Sequence, residues 1–129
     1  RLKWILGAGL LSGVIRYACL ALNDPVGVLT GITLHGVTYT LFFTTAQIYV
    51  NERMDSAWRA RAQALLTLVT SGLGNFVGYL GTGLWFHVNS GDTGPRWPVF
   101  WGVLAALIAI VTTYFFAVYR GRMGEGASR

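Results

Sequence analysis

Apolar residues run along this chain in four long blocks, residues 4–22, 26–50, 62–88 and 97–119, parted by short polar breaks. No block contains Asp, Glu or Lys, and the one arginine inside a block is Arg16. Each block approaches or exceeds the roughly 20 residues that carry a helix across a bilayer. A soluble four-helix bundle would need a polar stripe on every helix. None of the blocks has a charged stripe, so the pattern predicts an all-α integral membrane protein with four transmembrane helices.

The breaks carry their own signals. In "NDPVG", Asp24 is placed to cap a helix and Pro25 to occupy its first turn, where a missing N–H costs nothing. "NERMDSAWRARAQ" reads as a polar turn with Asp55 or Ser56 as the next cap. "NSGDTGPRWP" reads as a loop, with Pro98 at the following helix start.

Charge adds an orientation. Arg1, Lys3, Arg53, Arg59, Arg61, Arg120, Arg122 and Arg129 fall on one side of the four spans, against Arg96 on the other. By the positive-inside rule both termini of the segment and its central loop are expected in the cytoplasm. The net charge of +5 then follows from insertion. It gives no footprint for nucleic acid, because the charges flank spans and form no patch of their own. Trp4, Trp58, Tyr49, Tyr114 and Tyr119 would form the inner aromatic belt, and Trp85, Trp97 and Trp101 the outer one. Of the 129 residues 53% are hydrophobic and 12% charged, about half the usual charged share of a soluble domain. One cysteine, Cys19, leaves no internal disulfide. The chain opens on Arg1 with no signal-peptide layout, so the expectation is an internal piece of a longer protein.

Small residues recur at helical spacing in "GLLSG", "GVLTG" and "GNFVG", and Gly72, Gly81 and Gly83 add to the third block. They point to close helix contacts or bending.

Polar groups at membrane depth are the functional suspects. Arg16 faces a polar cavity, or else snorkels or pairs structurally. His35 lies near the middle of its block, with Thr38 and Tyr39 one turn on and Gln47 further along a similar face. A structural hydrogen bond is the alternative reading of His35. In the third block Ser71, Asn75 and Tyr79 are spaced by four, with Thr67 extending the row. These either contact a solute or bond helices together. Thr112 and Thr113 read as structural, returning their hydroxyls to their own helix. No phosphate loop, metal-ligand spacing or membrane carboxylate is present, and Asp24, Asp55 and Asp92 lie in breaks. An enzyme is therefore not expected, nor is a cofactor.

From "LHGVTYTLFF" through "RARAQALLTLVTSGLGNFVGYLGTGLW", the chain resembles the last third of a major facilitator superfamily transporter, with the nucleoside:proton symporter branch most similar. The matching positions are His35, Phe42, Phe43, Arg61, Ala62, Gln63, Leu65, Gly72, Gly74, Gly78 and Gly83, and Arg16 matches a family arginine. The resemblance implies that the four spans are helices nine to twelve of twelve, within the C-terminal six-helix bundle. Residues 120–129 would then be a cytoplasmic tail. The chain departs from the pattern in two places. The nucleoside branch has an aspartate near Thr40, used in substrate binding, and the sugar symporters have a glutamate at Thr38, used in proton coupling. Neither threonine titrates near neutral pH. His35 is then the titratable candidate, with a carboxylate outside this segment, or uniport, as the alternatives.

The expected function is secondary transport of a small polar solute, possibly a nucleoside, by alternating access in a bacterial inner membrane. His35, Tyr39, Arg16, Thr38, Thr40, Gln47, Asn75 and Tyr79 are the cavity candidates. The expected partners are the solute, the bilayer and N-terminal helices of the same chain. The competing readings are a stand-alone four-helix exporter, which lacks the membrane carboxylate it would need, and a non-transporting scaffold.

Overall fold

The computed structural model describes residues 2–92 and 94–119. Four helices dominate it: α1 (Leu2–Ala21), α2 (Pro25–Arg53), α3 (Ser56–Asn89) and α4 (Trp97–Val118), all long and apolar enough to cross a membrane. Between α3 and α4 a two-residue pairing joins β1 (Ser90–Gly91) antiparallel to β2 (Gly94–Pro95), with Gly94 at φ 94 supplying the turn.

The hairpins follow from local chemistry. After α1 the chain turns through Asn23 at φ 56, a left-handed conformation that asparagine tolerates. Asp24 Oδ1 then accepts the N–H groups of Val26 (3.0 Å) and Gly27 (2.9 Å), with Pro25 in the first turn. At the other end of the bundle Met54 is extended, and Asp55 precedes α3 without a side-chain cap bond. There Gln63 Nε2 donates to the Gln47 carbonyl at 2.8 Å, tying α3 back to α2.

α2 and α3 extend beyond the apolar blocks, because polar residues continue each helix at the shared hairpin. Each also contains a π-helical segment, Tyr39–Thr44 in α2 and Leu68–Gly74 in α3. A wider turn shifts every side chain beyond it relative to an α-helical count. The expected row Thr67, Ser71, Asn75, Tyr79 therefore does not continue as one α-helical face.

α1 is the centre, packed along α2 on one side and α4 on the other. Its buried positions are Gly7, Gly9, Ser12 and Gly13, so backbones approach where the side chains are smallest. A Cβ at Gly9 would stand 3.0 Å from the Phe42 backbone nitrogen, and one at Gly31 3.1 Å from the Arg16 carbonyl. The "GLLSG" and "GVLTG" patterns thus build the α1–α2 contact. The "GNFVG" pattern does not act this way: an added Cβ at Gly74 would meet only the Val69 carbonyl of its own helix, at 3.1 Å, and one at Gly78, Gly81 or Gly83 would meet nothing among the described residues. Of the two roles expected for the glycines of α3, bending fits Gly72 and Gly74, which lie in its π-helical segment.

Among the described residues only Phe100 is a buried large apolar side chain, whereas Leu29, Ile32, Phe76 and Val77 are each more than 60% exposed. In water this would be an untenable surface. In lipid, apolar side chains need no cover, and the helices satisfy their own backbone groups. One end of the bundle carries Lys3 against Phe116, Arg53 over Tyr49 and Arg61 over Trp58. Amphipathic cations and rings of this kind mark a membrane interface.

Candidate transport site

The polar side chains of α1 and α2 meet at two levels. Ser12 Oγ lies 2.8 Å from Thr38 Oγ1, and each hydroxyl also reaches a carbonyl of its own helix, Gly9 (2.8 Å) and Leu34 (3.0 Å). One hydroxyl donates across the gap while the other donates to its backbone. Thr38 therefore bonds two helices together, turned toward α1 and away from any groove.

The second level lies about one turn nearer the α1–α2 hairpin. Arg16 Nη1 contacts His35 Nδ1. An arginine only donates, so Nδ1 must present its lone pair and the neutral ring carries its proton on Nε2. Gly31 makes the contact possible. Its missing side chain lets α2 approach the Arg16 carbonyl, and His35 follows one turn later. The guanidinium also lies over the Tyr17 ring, 4.3 Å from its centroid, while Arg16 Nε is buried without a partner among the described residues.

Arg16 and His35 open on a groove of about 320 Å³ shared with Leu20, Ile32 and Trp101. A neighbouring groove of about 340 Å³ holds Asn75, Tyr79 and Thr82 of α3. Tyr17 and Trp101 line both grooves, their rings stacked at 5.9 Å. Two polar groups from different helices therefore flank one aromatic wall. Such a surface has the shape and chemistry to match the faces and edges of a flat polar solute.

The remaining candidates lie apart. Tyr39 is 54% exposed and stacks on Phe43 at 5.3 Å, at the start of the π-helical segment of α2. The side chains of Thr40 and Gln47 are also exposed, and the Gln47 carbonyl holds Gln63. The structure thus joins Arg16 to His35, places Asn75 with Tyr79, and separates Tyr39, Thr40 and Gln47 from both. Thr112 and Thr113 return their hydroxyls to Ile108 and Ala109, as their sequence reading held. Among the described residues no cluster of side chains could hold a metal ion.

Tyr17 and Trp101 were not sequence candidates. Trp101 reads as a belt residue by its position, and Tyr17 as an apolar neighbour of Arg16. The four-residue spacing of Trp97 and Trp101, stacked at 6.3 Å, was the available signal for an aromatic ladder.

Residues 1–123 match the family model described as "Nucleoside H+ symporter". Three curated relatives come from Escherichia coli (strain K12). The one named "Putative nucleoside transporter YegT" is 30% identical, over 92% of this chain and 31% of its own length. "Xanthosine permease" is 24% identical, over 89% of this chain and 29% of its own. "Nucleoside permease NupG" is 20% identical, over 92% of this chain and 30% of its own. The chain thus spans about a third of the length of the relatives it matches. No solved structure gives a match. The four spans and the match over nearly all of the chain make this a multi-pass membrane protein, and the chain belongs to the nucleoside:H+ symporter family.

Proposed function

We propose that the chain is the C-terminal part of a proton-coupled transporter that moves a nucleoside-like solute across a bacterial inner membrane by alternating access. The observation that carries this reading is the meeting of Arg16 and His35 beside an aromatic-walled groove, in a chain of this family. Sites of such transporters sit near mid-membrane between helix bundles, and helices that depart from α geometry there supply the movable parts. The π-helical segments of α2 and α3 suit that role.

The proposed solute contacts are Arg16, His35, Asn75 and Tyr79. Tyr39 and Thr40 lie on a side of α2 that no described helix covers, which fits a path completed by chain outside this segment. His35 is the proposed proton carrier. No described carboxylate stands in the apolar stretches, and His35 takes up a proton at Nδ1 when Arg16 releases that nitrogen. The basic end of the bundle faces the cytoplasm, where the Gln63–Gln47 bond would help hold the inner gate.

The test is uptake of labelled uridine and inosine into cells expressing the full-length protein. His35→Ala is expected to reduce accumulation at least tenfold at equal expression. Unchanged accumulation of both nucleosides would remove His35 from the path.

A further inference from the structure

We infer that Gly78 is the size-selecting position of the solute groove: its missing side chain leaves the slot that a two-ring base needs. The inference deepens the nucleoside reading and rests on it.

Three observations carry it. First, Asn75, Gly78, Tyr79 and Thr82 all line the groove of about 340 Å³. They lie beyond the π-helical segment, in the α-helical part of α3 (Asn75–Asn89), so their spacing places them on one face. Second, Gly78 occupies the middle of that face. Asn75 stands one turn before it and Thr82 one turn after it, about 10 Å apart at the helical rise. That span is comparable to the length of a nucleoside. A Cβ at Gly78 would meet no described atom within 4 Å, so carbons added there take up groove space. Third, the wall opposite is aromatic, with Tyr17 and Trp101 stacked at 5.9 Å.

The two ends of the face differ in chemistry. Asn75 offers a donor and an acceptor side by side, and an amide of this kind pairs with the edge of a nucleobase. Thr82 donates its hydroxyl hydrogen to the Gly78 carbonyl at 2.7 Å, so its oxygen is left to accept, as a sugar hydroxyl requires. A nucleoside lying along the groove puts its base edge on Asn75, its sugar on Thr82 and its base beside Gly78. The groove is at the small end of the range for solute sites. A one-ring base leaves room beside Gly78 that a two-ring base fills. In a tight site an added carbon or two discriminates by on the order of 10- to 200-fold.

The full-length protein is reconstituted in vesicles, and KM and maximal rate are measured for labelled inosine and uridine. Gly78→Val is expected to raise the KM of inosine roughly tenfold or more and to leave that of uridine within about threefold. Gly81→Val is the control, a glycine of the same helix with equally open surroundings that does not line the groove. It should leave both KM values within about threefold, and it is the reference where inosine alone is carried. Should Gly78→Val fail to fold, Gly78→Ala replaces it, because alanine favours a helix more than glycine does. Its KM for inosine should rise roughly threefold or more, and an unchanged value would overturn the inference. Equal loss of both nucleosides in Gly78→Val would also overturn it, marking Gly78 as a contact for a helix outside this segment. The same shift in Gly81→Val would do so too. An unaltered protein that carries uridine but not inosine would overturn the inference and leave the nucleoside reading standing. Transport of neither would defeat that reading and the inference with it.

Discussion

Two buried glycines of the α1–α2 contact should respond in opposite ways to the same added methyl group. At Gly27 a Cβ would stand 2.6 Å from the Cys19 carbonyl oxygen and 2.9 Å from Asp24 Oδ2. The first neighbour is backbone, and the second belongs to the carboxylate that caps α2. Neither can swing aside freely, so the helices must part or the cap must open. Overpacking costs about 1–3 kcal/mol, and a lost cap costs about 1 kcal/mol more. Alanine's better helix propensity offsets roughly 1 kcal/mol of this. Gly27→Ala should therefore destabilise by about 1–3 kcal/mol. At Gly13 the nearest atoms to an added Cβ are side-chain carbons of Ile108 and Thr38, both at 3.7 Å, an ordinary contact. Gly13→Ala should be neutral or stabilise by up to about 1 kcal/mol. The assay is thermal denaturation of the full-length protein in detergent, followed by the monodisperse fraction on size exclusion. If Gly27→Ala melts at or above the unaltered protein while Gly13→Ala melts below it, the reasoning about helix approach is wrong.

Other consequences follow from the same geometry. Thr38→Val should cost about 0.6–1.7 kcal/mol, the range for hydrogen bonds between membrane helices, and Ser12→Ala should add little to it; a double-mutant thermal cycle checks this. Asp24→Ala should cost about 1 kcal/mol through the lost cap, visible as a lower melting temperature, whereas Asp24→Asn should retain most of the stability. Gly31→Leu should part α1 from α2 beside the Arg16 carbonyl and separate His35 from Arg16, lowering uridine uptake more than stability. Comparing initial uptake rates with melting temperature separates the two effects.

The fold was legible to the extent that lipid solubility dictates it. Four apolar blocks that hold a single formal charge, Arg16, leave no other arrangement, and Asp24-Pro25 announces its helix start through a cap any sequence shows. The π-helical segments were not legible. "YTLFFT" and "LVTSGLG" contain no proline and no local marker, and a helix apolar all round has no polar stripe whose drift would betray a wider turn. Arg16 and His35 each stood out as costly in lipid, but their contact depends on how closely two helices cross. Gly31 determines that approach through an absence of atoms, and its pattern looks the same as "GNFVG", whose glycines meet no other helix among the described residues. Thr38 was assigned to the cavity face by spacing alone. Spacing identifies a shared face, and only the crossing with α1 shows that Ser12 occupies it.

The most direct test of the central claim is the proton movement that accompanies solute entry. The full-length protein is reconstituted in vesicles without a membrane potential or pH gradient, and the external pH is followed as uridine or inosine is added. Proton-coupled symport predicts alkalinisation that depends on solute, is abolished by a protonophore and is lost in His35→Ala. Solute entry with no pH change, or with a pH change that His35→Ala leaves intact, would contradict the account.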